Sequence, residues 1–133
     1  MNLLLDTPIW VWWLTLGSPL SRAERDALDA KAVRQELCLS AISLWEAQVL
    51  HSKQRLELPL PFAAWLARAA DDRVIAVLPL NLDVILALDA LPSSFHGDPA
   101  DRLIVATARA HAMPLATHDA AIRRSRAAKI WKP

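Results

Sequence analysis

The chain has 133 residues, 54% of them apolar, and a net charge of +1, which is the size of one domain with enough apolar mass for a full core and excludes a disordered chain. One cysteine, Cys38, excludes an internal disulfide, gives no basis for a thiolate metal site and reads as a buried strand thiol. No basic-then-apolar leader opens the sequence, and the apolar run Pro8 to Leu16 falls far short of the roughly 20 residues that span a bilayer, so a cytoplasmic protein without a membrane segment is expected.

Residues 2–5 form a continuous apolar run, the pattern of a strand buried on both faces. It ends at Asp6, and Thr7-Pro8 reads as a helix cap and first helical residue. The helix continuing through Ile9, Trp10, Val11, Trp12, Trp13 and Leu14 is apolar nearly all round, whereas a surface helix shows one stripe. Either it is wedged in the core or part of it meets a partner. Gly17-Ser18-Pro19 breaks it. Ser21 to Glu24 fits the capping box of a second helix, with Ala23, Ala27, Leu28 and Ala32 on one face. Leu37 to Leu39 is a short strand. The stretch Ser40 to Leu50 is a helix, and a capping box from Ser43 to Glu46 is the structural account of that glutamate. Two prolines in residues 56–61 mark a connection to a helix from Phe62 to Ala70, with Trp65 and Leu66 on its apolar face.

After a polar turn at Asp71-Asp72-Arg73, Val74 to Leu78 is the clearest strand of the chain. Asn81 caps a helix through Asp89, with Val84, Ile85 and Leu88 facing in. Pro92-Ser93-Ser94 closes it and leads to His96-Gly-Asp98-Pro99-Ala-Asp101, where Asp98 is the cap, Pro99 the first residue and Asp101 the third residue of a helix reaching about Ala112. Met113 to Ala116 is a short strand, Thr117-His118-Asp119 opens a basic helix from Ala120 to Ser125, and Ala128 to Trp131 reads as a final edge strand. The order β-α-α-β-α-α-β-α-α-β-α-β predicts an α/β fold in one domain, residues 1–133, with a parallel sheet and helices on both faces.

Charge is unevenly spread. Residues 1–101 hold eight basic and thirteen acidic side chains, while residues 102–133 hold seven basic ones and a single acid, Asp119. A basic tail suits a polyanion, and equally a solvated helix face.

The acids are where the chemistry lies. Asp6 follows the first strand, Glu46 sits in the helix after the second, Asp98 and Asp101 open the helix before the fourth, and Asp119 follows the fourth. In open α/β sheets ligands bind outside the carboxyl ends of the strands, which would bring these acids to one edge. Asp98, Asp101 and Glu46 also have a capping explanation. Four carboxylates within several Å cannot all ionise without protons or a cation, and an oxygen-only set without His or Cys suits Mg²⁺ or Mn²⁺. Such a cation binds a phosphodiester oxygen, lowers the pKa of water and stabilises the leaving oxygen, the chemistry of a metal-dependent nuclease. A phosphoacceptor receiver domain would want an acid pair at the first strand end and an acid at the third, where Leu78-Pro79 stands. A haloacid-type phosphatase would want Asp-x-Asp, where Asp6-Thr-Pro8 stands.

Leu4-Leu5-Asp6-Thr7, Ser40-Ala-Ile-Ser-Leu-Trp-Glu46, His96-Gly-Asp98-Pro-Ala-Asp101-Arg102-Leu-Ile-Val-Ala106 and Leu115-Ala-Thr117-His-Asp119 together resemble the PIN-domain family, and within it the VapC-type toxins of bacterial toxin–antitoxin pairs. The resemblance implies a three-layer α/β/α sandwich around a central parallel sheet, Mg²⁺- or Mn²⁺-dependent endoribonuclease activity on an RNA substrate, and a homodimer neutralised by an antitoxin protein. It places Asp6, Glu46, Asp101 and Asp119 on the catalytic, metal-holding quartet. Asp98 falls on an accessory acid and Thr117 on a hydroxyl that orients the last acid or a water. Arg102 falls on a frequent arginine that either contacts phosphate or forms a structural ion pair. Arg123 and Arg124 are candidate RNA contacts, and the tryptophans of the first helix are a candidate surface for the antitoxin. Ala100 departs from the family, which usually has a bulky aromatic there. The alternative is a PIN-like domain that binds RNA or a partner without cutting.

Overall fold

The computed structural model describes residues 1–15, 18–95 and 97–133; the Gly17 position of the predicted helix break and His96 lie outside them. Four short parallel strands, β1 (Leu3–Leu5), β2 (Leu37–Ser40), β3 (Ala76–Leu78) and β4 (Leu115–Ala116), form one sheet in the order β3-β2-β1-β4. Between them run α1 (Thr7–Trp13), α2 (Arg22–Val33), α3 (Ala41–Ser52), α4 (Phe62–Ala69), α5 (Leu82–Asp89) and α6 (Pro99–Ala110), with α7 (Ala120–Ser125) after β4. This is the predicted order without its last strand. Ala128 to Trp131 contributes only a single parallel bridge, Ile130 to Leu115, so the strand read there is not formed.

The sheet has an apolar cluster on each face, and the alternation along β1 assigns them. Leu3 and Leu5 pack with Ile9, Trp10, Leu28 and Trp65 of α1, α2 and α4. Leu4 packs with Leu91, Ile104, Val105 and Ile122, the side of α5, α6 and α7. The result is the expected three-layer α/β/α sandwich. Cys38 is buried in β2, as a small apolar strand residue.

Several local readings shift. The cap of α1 is Asp6, not Thr7: the Asp6 carboxylate accepts from the Ile9 amide at 2.9 Å, which puts Thr7 inside the first turn. The helix α3 starts a turn earlier than the Ser43–Glu46 box requires. Ser40 caps it, accepting from the Ile42 amide at 3.3 Å, and Ser43 is left inside the helix with its hydroxyl free for other work. The strand read at Val74 to Leu78 is shorter and lies at the sheet edge, with Val74 in a turn. In α5 only Val84 is buried; Ile85, read as facing in, is exposed, because a two-turn helix against α6 has one inward face. The Ser21–Glu24 box forms with both of its hydrogen bonds.

Among the described residues four helices end on a left-handed residue that is not glycine: after α2, α3, α6 and α7 these are Gln35, Gln54, Ala112 and Arg126. The paired bonds Glu36 N–H to Lys31 and Gln35 N–H to Ala32, with their counterparts at Arg55/Gln54 and Met113/Ala112, are Schellman closures. A side chain at each of these positions costs on the order of 1 kcal/mol relative to glycine.

Candidate active site

The strands β1 and β4 are parallel neighbours, so their carboxyl ends open on the same edge. The Asp6 amide donates to the Ala116 carbonyl at 3.1 Å, which ties the residue after β1 to the end of β4. From β4 the chain passes through Thr117 into Asp119, the cap of α7, which accepts from the Ile122 amide at 2.8 Å. Asp98 caps α6 and accepts from the Asp101 amide at 2.8 Å. Capping therefore accounts for Asp6, Asp98 and Asp119, each through one oxygen. It does not account for Asp101, a first-turn residue whose carboxylate caps nothing, nor for Glu46 in the middle of α3.

Asp6, Asp101 and Asp119 line one pocket of about 200 Å³, walled by Pro8, Trp12 and His118. Glu46 borders it on two adjoining clefts, one shared with Trp12 and one with Asp98. The electrostatics register the crowding. Burial raises the Asp6 carboxyl to about 6 against the opposing hydrogen bonds from Thr117 and Ile9, and the charges of Asp119 and Glu46 add to the rise. Burial also raises Asp101, to about 7, followed by the charges of Asp98, Asp119, Glu46 and Asp6. Glu46 is raised by burial and by Asp98, with Thr7 pulling the other way. Among the described residues none of these acids has a Lys, Arg or His partner in an ion pair.

Two hydroxyls hold the acids in place. Thr7, 2% exposed, donates to Glu46 and shares a 2.8 Å hydrogen bond with Ser43, so α1 and α3 meet at one polar knot. Thr117, equally buried, accepts from the Asp119 amide at 3.0 Å, and its hydroxyl pulls the Asp6 carboxyl down against burial. Thr117 is a predicted site residue. Thr7 and Ser43 were read as local cap residues, and their alliance spans 36 positions, which no local pattern signals. His118 is likewise unannounced, and Trp12 stands in the sequence only as a candidate antitoxin contact; their rings lie 5.4 Å apart, and His118 Nε2 is 2.6 Å from a Glu24 carboxylate oxygen. The three tryptophans of α1 part ways. Trp10 is core, donating to the Ala69 carbonyl, Trp13 donates to Asp29, and Trp12 faces the pocket.

The predicted basic contacts also separate. Arg102 donates to the Phe95 carbonyl at 3.2 Å, steadying the loop before α6, and forms no ion pair among the described residues. Arg123 donates twice to the Thr117 carbonyl. Arg124 is exposed and lines a hollow of about 320 Å³ with Ser94 and Ser125. Gly97 carries the backbone past the Phe95 ring and Asp101, where an added Cβ would lie 2.7 Å and 3.2 Å from them.

The donor set is oxygen-only, buried on one side and uncompensated, which fits a hard dication. It is not a finished cage: among the described residues no three acids or imidazoles stand close enough together to hold an ion as they are.

Residues 3–127 match the family model described as PIN domain. The chain is 38% identical over 126 residues to Ribonuclease VapC22 of Mycobacterium tuberculosis, covering 94% of this chain and 92% of that protein. Its fold is similar to the structure of VapBC2 from Rickettsia felis bound to a DNA fragment from their promoter, with a TM-score of 0.76 at 16% identity over 98% of both chains. It is also similar to FitAcB from Neisseria gonorrhoeae, with a TM-score of 0.67 at 20% identity over 98% of this chain and 96% of that one.

Proposed function

The chain belongs to the PIN-domain family, and from that premise we propose that it is a divalent-metal-dependent endoribonuclease acting as the toxin of a toxin–antitoxin pair. The observation that carries the reading is the pocket of Asp6, Asp101 and Asp119, with Glu46 at its border and no cationic side chain paired to any of them among the described residues. The similarity to a ribonuclease supplies the reaction class.

Asp6, Glu46, Asp101 and Asp119 would hold Mg²⁺ or Mn²⁺. Bound there, the ion would supply charge for a phosphodiester oxygen, acidify water and stabilise the leaving oxygen. The chain supplies position. Thr117 orients Asp6, Thr7 orients Glu46, and the helix caps fix the backbone under Asp6 and Asp119. Asp98 adds negative charge at the mouth, raising both Glu46 and Asp101. Arg124 is placed to meet a phosphate with all its donors, whereas two donors of the equally exposed Arg123 and one of Arg102 go to main-chain carbonyls. Residues 1–133 act as one domain, and the partners are RNA, a second copy of the chain and an antitoxin. No helix among the described residues is long and apolar enough to cross a membrane.

The test is incubation of the purified protein with structured cellular RNA in Mg²⁺, in Mn²⁺ and in chelator, with the cut ends mapped. Discrete cuts that need the metal support the reading; intact RNA under all three conditions, or equal cutting in chelator, refutes it.

A further inference from the structure

We propose that Arg123 is a positioning residue for the Asp6–Asp119 pair, clamping the Thr117 carbonyl and so fixing the loop that joins the two acids. The inference rests on the reading of those acids as metal-holding. Arg123 stands one turn into α7 and its side chain reaches back past the start of the helix. Nε and Nη2 both donate to the Thr117 carbonyl, at 3.0 and 2.8 Å. Two charge-assisted donors on one acceptor fix the carbonyl in direction as well as in place.

That peptide reaches both acids. The Thr117 hydroxyl accepts from the Asp119 amide at 3.0 Å and lies close enough to the Asp6 carboxyl to pull it down against burial. The preceding carbonyl, Ala116, receives the Asp6 amide at 3.1 Å. Residues 116–119 therefore grip Asp6 by main chain and side chain while carrying Asp119. The helix that follows has six residues, too few to be rigid by its own hydrogen bonds. The guanidinium ties this short helix back to the loop that precedes it.

This separates Arg123 from Arg124, its neighbour in sequence. A phosphate binding Arg123 has to compete with the Thr117 carbonyl for two of its donors. Both side chains are exposed, and a phosphate binding Arg124 meets it beside Ser94 and Ser125.

The experiment compares Arg123→Ala, Arg123→Lys and Arg124→Ala with wild type in three measurements. The first is the Mg²⁺ concentration at half-maximal thermal stabilisation. Removing a residue that orients ligands typically weakens a metal site about 10–100-fold, so Arg123→Ala should raise that concentration by at least about tenfold and Arg123→Lys by less. Cleavage by Arg123→Ala should lose kcat with KM little changed. The second is binding of a mixed-sequence single-stranded RNA in chelator over a salt series. Arg124→Ala should flatten the log–log slope by about 0.7, one phosphate contact on a single strand, and Arg123→Ala should leave it unchanged. The third is hydrogen exchange of the Asp119 amide in chelator, which Arg123→Ala should speed by about tenfold as the loop opens locally.

A flattened salt slope in Arg123→Ala with unchanged metal response and unchanged exchange would overturn the proposal and make Arg123 a phosphate contact. Should wild type show no Mg²⁺ response at all, the metal reading fails by itself, and the exchange of the Asp119 amide still decides whether Arg123 holds the loop.

Discussion

Asp6→Asn makes the metal-free protein more stable and the metal-loaded protein less so. Asp6 is 3% exposed, and burial lifts its carboxyl to about 6, above the usual unfolded value near 4. A carboxyl raised on folding binds its proton more tightly in the native state. Its contribution is therefore fully present below pH about 4 and is lost as pH rises through about 6. Above pH 7 the loss amounts to about 3 kcal/mol, at 1.36 kcal/mol per pKa unit. Asparagine keeps the cap, since its side-chain oxygen still accepts from the Ile9 amide, and carries no charge to penalise. In chelator at pH 8 the variant should melt higher by up to about 10 °C for a domain of this size, and the gap should close by pH 4. Saturating Mg²⁺ stabilises whatever binds it, by about 2.7 kcal/mol at a hundred times Kd, so wild type should rise and the variant should not. The assay is thermal denaturation across pH with and without Mg²⁺. A variant no more stable than wild type at pH 8 in chelator, with an equal response to Mg²⁺, would refute the reasoning.

Activity at limiting Mg²⁺ should climb as pH rises through 6 to 7, where Asp6 and Asp101 lose their protons. Added Mg²⁺ should move that midpoint to lower pH, because the ion competes with the protons for the same oxygens; a midpoint that stays fixed over a Mg²⁺ series counts against it. Thr7→Val leaves the buried Ser43 hydroxyl without its partner and frees Glu46. Urea denaturation should report a loss of about 1–3 kcal/mol, accompanied by slower cleavage. Gly97→Ala forces a methyl against the Phe95 ring and toward Asp101; overpacking of this kind costs about 1–3 kcal/mol, and the displaced acid should also lower kcat, measured on the mapped RNA site.

Much of this fold is written locally. Ser21, Asn81, Asp98 and Asp119 each bond an amide three residues on, so the cap can be read without knowing the rest of the molecule. The apolar runs of β1 and β2 carry the sheet in the same way. The fate of the α1 tryptophans could not be read so. Which one faces the core depends on where α4 lies, since Trp10 finds its hydrogen-bond partner at Ala69. The strand read at Ala128 to Trp131 fails for a related reason. Its bonds to Leu115 form, but β4 is two residues long and offers no longer ladder. In the site, the order and spacing of the acids pointed to one sheet edge, and β1 and β4 do lie side by side. Thr117 was legible beside the last acid, whereas the Thr7–Ser43 pair did not announce itself, because the two meet only after two elements have packed. The arginines looked alike in sequence, and only the Thr117 and Phe95 carbonyls tell them apart.

The most direct measurement is an anomalous-scattering map from crystals grown with Mn²⁺. The account predicts density for the ion within coordination reach of Asp6, Asp101 and Asp119, with Glu46 beside it, and no such density in Asp101→Asn crystals. Mn²⁺ bound elsewhere while the wild-type protein cuts RNA, or equal density in the variant, would contradict it.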